Sequence, residues 1–286
     1  MTALFAVQFS LPFVLIFWFA LAPPRTRFGF FIQLIASAAA LWAMALLGIW
    51  LLPPWWAPHA FAVGLAAATW VGLRRCRPFE SALPVAVKLA FPQESGVYRV
   101  VNGGSDIKTN AHLMTLDTSI PRFREWRGQS YGVDIVKLDM LGLRARGVLP
   151  ADPKAYRIYG ARVLAPCAGQ VVLALDGLPD MQVPEVDRAH LAGNHVMLRC
   201  ADPNTNSNAD VLLGHLRPGS VQVRAGATVA VGDWLGSVGN SGNTGEPHLH
   251  VHAQRPGPAG APLGGDPLPV VFDGRFPVRG DRIESP

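Results

Sequence analysis

The first 77 residues contain no aspartate or glutamate, only five arginines at 25, 27, 74, 75 and 77. The rest of the chain holds the other twenty of the 25 basic residues and all twenty acidic ones, so the formal charge of +5 belongs to the front quarter. A neutral remainder has no basic stripe to track a phosphate backbone, which argues against nucleic acid as a partner. Cysteine is equally sparse. Cys76, Cys167 and Cys200 are too few for a disulfide framework and show no CxxC spacing. They are expected to be ordinary buried thiols, a Cys167–Cys200 pair being the alternative. No internal repeat is present.

What the front of the chain has is apolar length. Mean hydropathy is +0.23, higher than a soluble enzyme would show. Residues 3–22 and 28–52 each match the ~30 Å hydrocarbon thickness that a helix must cross. The second run ends at Pro53-Pro54-Trp55-Trp56, where tryptophan suits the headgroup interface. Residues 55–73 reach spanning length as a third helix, or lie on the interface. A cleaved signal peptide fits the first run poorly, because no charged side chain precedes it and Pro23 follows the small-x-small triplet Ala20-Leu21-Ala22. The expected organisation is a transmembrane region over 1–77, a linker and first strand over 78–104, and a folded domain over 105–286. Three spans obeying the positive-inside rule leave that domain in the cytoplasm; two spans and an interfacial helix put it outside.

After Arg77 short apolar stretches alternate with glycine, proline and asparagine, and helical periodicity is weak. The pattern predicts strands at 96–102, 162–164, 170–175, 195–200, 210–216, 220–223, 233–238, 248–254 and 270–272. Many short strands with turn punctuation predict a mainly β domain, an antiparallel sandwich or open barrel.

The stretch GEPHLHVHAQ, residues 245–254, places histidines at 248, 250 and 252. On a strand these share one face, and Leu249, Val251 and Ala253 share the other. Neighbouring histidines then sit ~6 to 7 Å apart, so one can ligate a metal while the next reaches its water. An isolated HxH is weak evidence, but here GSVGNSGNTGEPHLH (236–250) is preceded, in order, by VLAPCAGQVV (163–172), AGNHVMLRC (192–200) and VLLGHLRPGSV (211–221). This series resembles the lysostaphin-like, LytM-domain zinc metallopeptidases over roughly residues 105–255.

The resemblance implies His250 and Asp134 as metal ligands. The family histidine four residues before the aspartate is replaced by Ser130, and His112 in TNAHLM stands in for it, as in a branch of the family with NxH followed by QxYxxDI. His215 and His248 are implied as acid–base and oxyanion partners. Asn240, Gly242 and Asn243 are implied to line a groove for an extended peptide. His252 lies too far along the strand to ligate, and is expected to support the site or to be exposed. His59, His190 and His195 receive no role. The implied cofactor is one zinc ion; copper or nickel also accept imidazole, but two histidines and one aspartate around an open position favour zinc. The implied activity is hydrolysis of amide bonds in peptidoglycan cross-link peptides. The implied location is the bacterial inner membrane, in contact with lipid, with the domain on the outer side. The rival from another class is a metal-free domain that regulates a cell-wall amidase.

Overall fold

A computed structural model describes residues 86–202 and 207–286, all within one compact unit, Cys76–Pro286. The expected spans at 3–22, 28–52 and 55–73 lie outside the described residues. Among the described residues, no helix is long and apolar enough to cross a membrane.

Thirteen strands are described: β1 (Val87–Leu89), β2 (Gly96–Asn102), β3 (Val133–Leu138), β4 (Arg162–Leu164), β5 (Gly169–Leu175), β6 (Asn194–Asp202), β7 (Ser207–Leu216), β8 (Thr228–Val229), β9 (Trp234–Ser237), β10 (Leu249–Gln254), β11 (Pro267–Leu268), β12 (Val270–Phe272) and β13 (Arg282–Ser285). The one α-helix among the described residues, α1 (Pro121–Glu125), sits between 3₁₀ turns at Ala111–Leu116 and Arg127–Tyr131. Nine strands form one antiparallel sheet in the order β13-β2-β3-β10-β7-β6-β5-β8, with β11 pairing to β10 beyond the end of β3. Two-stranded pairs, β4 with β9 and β1 with β12, complete the fold; the second is parallel. The mainly β, antiparallel expectation holds in this form.

Alternation explains why β10 occupies the middle. Leu249, Val251 and Ala253 are fully buried in the main core with Val133, Ile135, Val211 and Leu213. The opposite face presents His250, His252 and Gln254, which are also buried. Both faces of the strand are therefore buried, one presenting hydrocarbon and one presenting polar side chains.

The structure departs from the sequence expectation in several places. β1, β3, β8, β11 and β13 were not evident as strands. Residues 220–223 form no strand: after Pro218 and the left-handed Gly219 (φ +72°), Val221 N–H binds the Asp176 carboxylate and Gln222 N–H binds Leu235 O, so no ladder develops. Cys167 and Cys200, expected as free thiols, are joined by a disulfide. The pairing of Gly169 with Cys200 across β5 and β6 brings the two Cα atoms to 6.0 Å.

The bridge closes a 33-residue separation, which in a chain-entropy account is worth about 3 to 4 kcal/mol. Reduction of the disulfide, or Cys167→Ala, is expected to lower the unfolding free energy by up to about that amount in denaturant titrations. Unchanged midpoints would show that the hairpin already supplies the constraint.

Candidate functional site

Asp134 and His250 are directly opposite one another in the antiparallel pair of β3 and β10. Side chains so placed lie on one face within contact distance, and His250 Nδ1 is 2.8 Å from Asp134 Oδ1. Proximity that the sequence separates by 116 residues follows from strand register alone.

His112 arrives by a different route. The register of β2 against β3 shifts between Val100 and Asn102, so that Asn102 faces Asp134. A bulge of this kind re-aims a side chain. Asn102 Nδ2 donates to Asp134 Oδ2 (3.3 Å) and lies 2.9 Å from His112 Nδ1, and Asn102 Oδ1 accepts from Ala111 N–H. Asn110 caps the 3₁₀ turn by accepting from His112 N–H, and donates to Gly104 O and Gly132 O. Its Oδ1 and Gly132 O both lie near His112 Nδ1, at 3.1 and 3.2 Å. Nδ1 thus lies among two oxygens and the Asn102 amide nitrogen, contacts that hold the ring in place, while Nε2 is 3.7 Å from Asp134 Oδ2.

The ligand atoms of His112, Asp134 and His250 all lie within 4.8 Å of one another, a group able to hold a metal ion. Two imidazole nitrogens and one carboxylate oxygen are donor types suited to a divalent metal ion, and the polar contacts around His112 Nδ1 hold its ring in place. Ser130 takes no part. Its fully buried hydroxyl bonds Thr115 Oγ1 and Arg127 O, and Thr115 in turn donates to His112 O, so Ser130 braces the turn that carries His112.

His215 and His248 stand beside this group. Their ring centroids are 4.7 Å apart, and His215 is 5.8 Å from His250. His215 Nδ1 donates to Ser241 O and His248 Nδ1 donates to Glu246 O, each at 2.8 Å. Both therefore keep an Nε2 lone pair; that of His248 is 3.5 Å from Asp134 Oδ1. His215 is held at φ +60°, a left-handed conformation that a non-glycine residue adopts at some cost and that clusters at functional sites. Glu246 also accepts from Arg144 Nε at 2.8 Å, tying the segment before His248 to the 139–150 loop.

In the preceding loop, Asn240 is fully buried, with its amide donating to Met181 O and its Oδ1 accepting from Thr244 Oγ1. Gly242 is buried at φ +86°, where a Cβ would strike Gly193 N and His190 O. Asn243 is exposed. His252 is buried at 3% exposure against His250, not exposed. His190 pairs with Asp187, and His195 bonds Gly193 O; neither joins the metal group. Asn102, Asn110 and Gly132 were not evident as site residues. Only Asn110 left a trace in the sequence, a capping side chain two residues before a histidine. At Gly132 a Cβ would lie 2.7 Å from His250 Cε1 and 3.1 Å from His112 Nδ1, so any larger residue pushes the two ligands apart.

Burial sets the protonation of the cluster. It lowers the His112 pKa to about 4 even against the pull of Asp134, and lowers those of His215 and His252 well below the ordinary value, with the neighbouring His250 adding to the effect at both. Burial would raise the Asp134 pKa, but His112, His248 and the His250 hydrogen bond outweigh it and hold the carboxyl well below the usual range. At neutral pH the site thus offers the Asp134 carboxylate and the unprotonated imidazoles of His112, His215 and His252. In the metal-free protein these histidines stay neutral when folded, whereas the unfolded chain protonates them near pH ~6.5. Stability is then full above that pH and is lost as pH falls toward 4, the His112 share alone reaching about 3 kcal/mol. Denaturation midpoints measured in chelator between pH 7.5 and 4.5 should fall steadily; a flat profile would contradict the neutral cluster.

Residues 155–262 match the model of Peptidase family M23. None of the curated proteins compared matches the chain. Among solved structures the chain is similar to a zinc containing peptidase from Vibrio cholerae, at 19% identity over 43% of this chain and 46% of that one, with a TM-score of 0.26. It is similar to the catalytic domain of the antimicrobial peptidase lysostaphin from Staphylococcus simulans, at 19% identity over 41% of this chain and 82% of that one, TM-score 0.25. The catalytic domain of a prophage-encoded M23 protein from Enterococcus faecalis is 26% identical over 40% of this chain and 77% of that one, TM-score 0.21. The chain spans about half the length of the larger relatives it matches, 46% of the Vibrio cholerae peptidase and 53% of an M23 peptidase from Pseudomonas aeruginosa. The matched segment contains His215, His248 and His250, while His112 and Asp134 precede it. Residues 155–262 thus match Peptidase family M23, and the segment before that match supplies two of the three side chains that could hold a metal ion.

Proposed function

We propose that the protein is a membrane-anchored zinc endopeptidase that hydrolyses amide bonds in peptidoglycan cross-link peptides. The observation that carries this reading is the convergence of His112, Asp134 and His250, within 4.8 Å of one another, beside two further imidazoles. His112 makes good the ligand missing at Ser130, which removes the main reason for reading the domain as a metal-free regulator.

When bound, the ion supplies Lewis acidity, polarising a peptide carbonyl and bringing the pKa of a water toward ~7. The remaining steps belong to the chain. His248 and His215, each with Nδ1–H spent on a backbone carbonyl, present Nε2 to the site. One Nε2 accepts the proton of the attacking water, and the imidazolium so formed faces the oxyanion and then returns that proton to the leaving amine; the second ring lies beside it and orients it. Thr244 Oγ1, 3.2 Å from His248 Nδ1, and Glu246 O hold the His248 ring in this tautomer. No serine or cysteine nucleophile is required. The exposed backbone at Asn243 and Gly245 suits an extended peptide with small or D-configured residues, recognised along its main chain. Asn240 and Gly242 shape that loop from within.

The location rests on two supports: the apolar runs within residues 1–77 favour a membrane anchor, and the Cys167–Cys200 disulfide favours an oxidising compartment outside the cytoplasm. A reporter fused after Pro286 is expected to be active only on the outer side; activity in the cytoplasm would remove the cell wall as the target.

The purified chain is expected to hold about one zinc and to release peptides from purified peptidoglycan. His112→Ala and His250→Ala should lose both. His215→Ala and His248→Ala should keep the zinc and lose roughly 10²- to 10⁴-fold in kcat. Metal analysis alongside turnover separates the two classes, and a chain without metal that still cleaves, or that never binds metal, sinks the reading.

A further inference from the structure

Along β10, His250, His252 and Gln254 follow one another on the same face, exposed by 4, 3 and 0%. His250 Nε2 lies 2.9 Å from His252 Nδ1. The other nitrogen of His250, Nδ1, faces Asp134. A neutral imidazole has one proton and one lone pair. If Nδ1 is to offer its lone pair to an ion, the proton must sit on Nε2, and His252 Nδ1 must accept it.

The polarity then runs on. With Nδ1 accepting, His252 carries its own proton on Nε2. That atom is buried without a hydrogen bond, and so is Gln254 Oε1. One is a donor lacking an acceptor, the other an acceptor lacking a donor, two positions apart on one strand face. The orientation of that amide is fixed from its far end, where Nε2 donates to Pro262 O at 2.6 Å. It is also fixed from both sides. A Cβ at Gly128 would collide with Gln254 Oε1, and one at Gly265 would come within 2.7 Å of Nε2. With the amide nitrogen committed to Pro262, the oxygen is the end left to accept a hydrogen bond.

We propose that His252 and Gln254 are positioning residues for the metal ligand His250. The relay from His250 Nε2–H through His252 and Gln254 to Pro262 O holds the ring in the tautomer and orientation that turn the Nδ1 lone pair toward His112 and Asp134. A neutral relay suits this place: a full charge buried so completely, without a counter-ion, would be expensive, and the three ligands already bring one carboxylate.

This inference rests on the metal-site reading, and zinc affinity is therefore its test. In the purified full-length chain, zinc dissociation constants are measured by competition with a chelator, with the metal-free melting temperature as the control for folding. His252→Leu removes the acceptor and is expected to weaken zinc by 10- to 100-fold. His252→Gln, whose Oε1 can accept from His250 and whose Nε2 can donate to Gln254, is expected to restore affinity to within about threefold, a rescue that loss of packing alone would not give. Gln254→Leu, which leaves the two histidines in place, is expected to weaken zinc several-fold and serves if His252→Leu does not fold. Unchanged affinity in a leucine variant that keeps its metal-free melting temperature overturns the relay while leaving the metal site standing. A wild-type chain that binds no zinc overturns both.

Discussion

The cross-strand pairing of Asp134 with His250 is the contact on which the rest of the site depends. Register is set by a strand's hydrocarbon face, and a slip of one residue would turn every side chain over. Leu249, Val251 and Ala253 are locked into the main core on one side of β10, so the histidine face of that strand can point only one way. Val133 and Ile135 do the same for β3 on either side of Asp134. The chemistry is placed by residues that take no part in it.

Around that pair the polar groups share one logic. His112, His215 and His248 each set Nδ1 against a main-chain carbonyl, and His250 sets Nε2 against His252. Each ring is thereby fixed in orientation by a contact at one nitrogen, and the other faces the site. Burial at His112 and His215 disfavours the charged form, and the single carboxylate of Asp134 supplies the negative charge that attracts a cation. The bulge at Asn102 and the cap at Asn110 bring in His112. Thr115 and Ser130 brace the backbone behind it.

Much of this was legible in the sequence, for reasons particular to its elements. The alternation of His248 to Gln254 gave the two faces of β10 directly, and the strands beginning near 96, 162, 170, 195 and 210 were marked by β-branched runs between turn residues. β3 was hidden: VDIVKL follows a turn with no break in polarity, so its pairing role emerges only once β10 lies beside it. β8 and β11 are two-residue strands and β13 alternates charge with Ile283; none of the three carries enough apolar pattern to be seen. The Cys167–Cys200 bridge depends on the Gly169 to Cys200 register, which spacing alone does not encode. Asn102 and Gly132 act through a bulge and through the lack of a Cβ, and neither property is written in a residue pattern.

The most direct test of the account is anomalous diffraction at the zinc absorption edge from crystals of the zinc-loaded protein. The account predicts one peak in contact with His112 Nε2, an Asp134 oxygen and His250 Nδ1, with Ser130 uninvolved. A peak lodged elsewhere, or Asp134 and His250 touching no common ion, would contradict it.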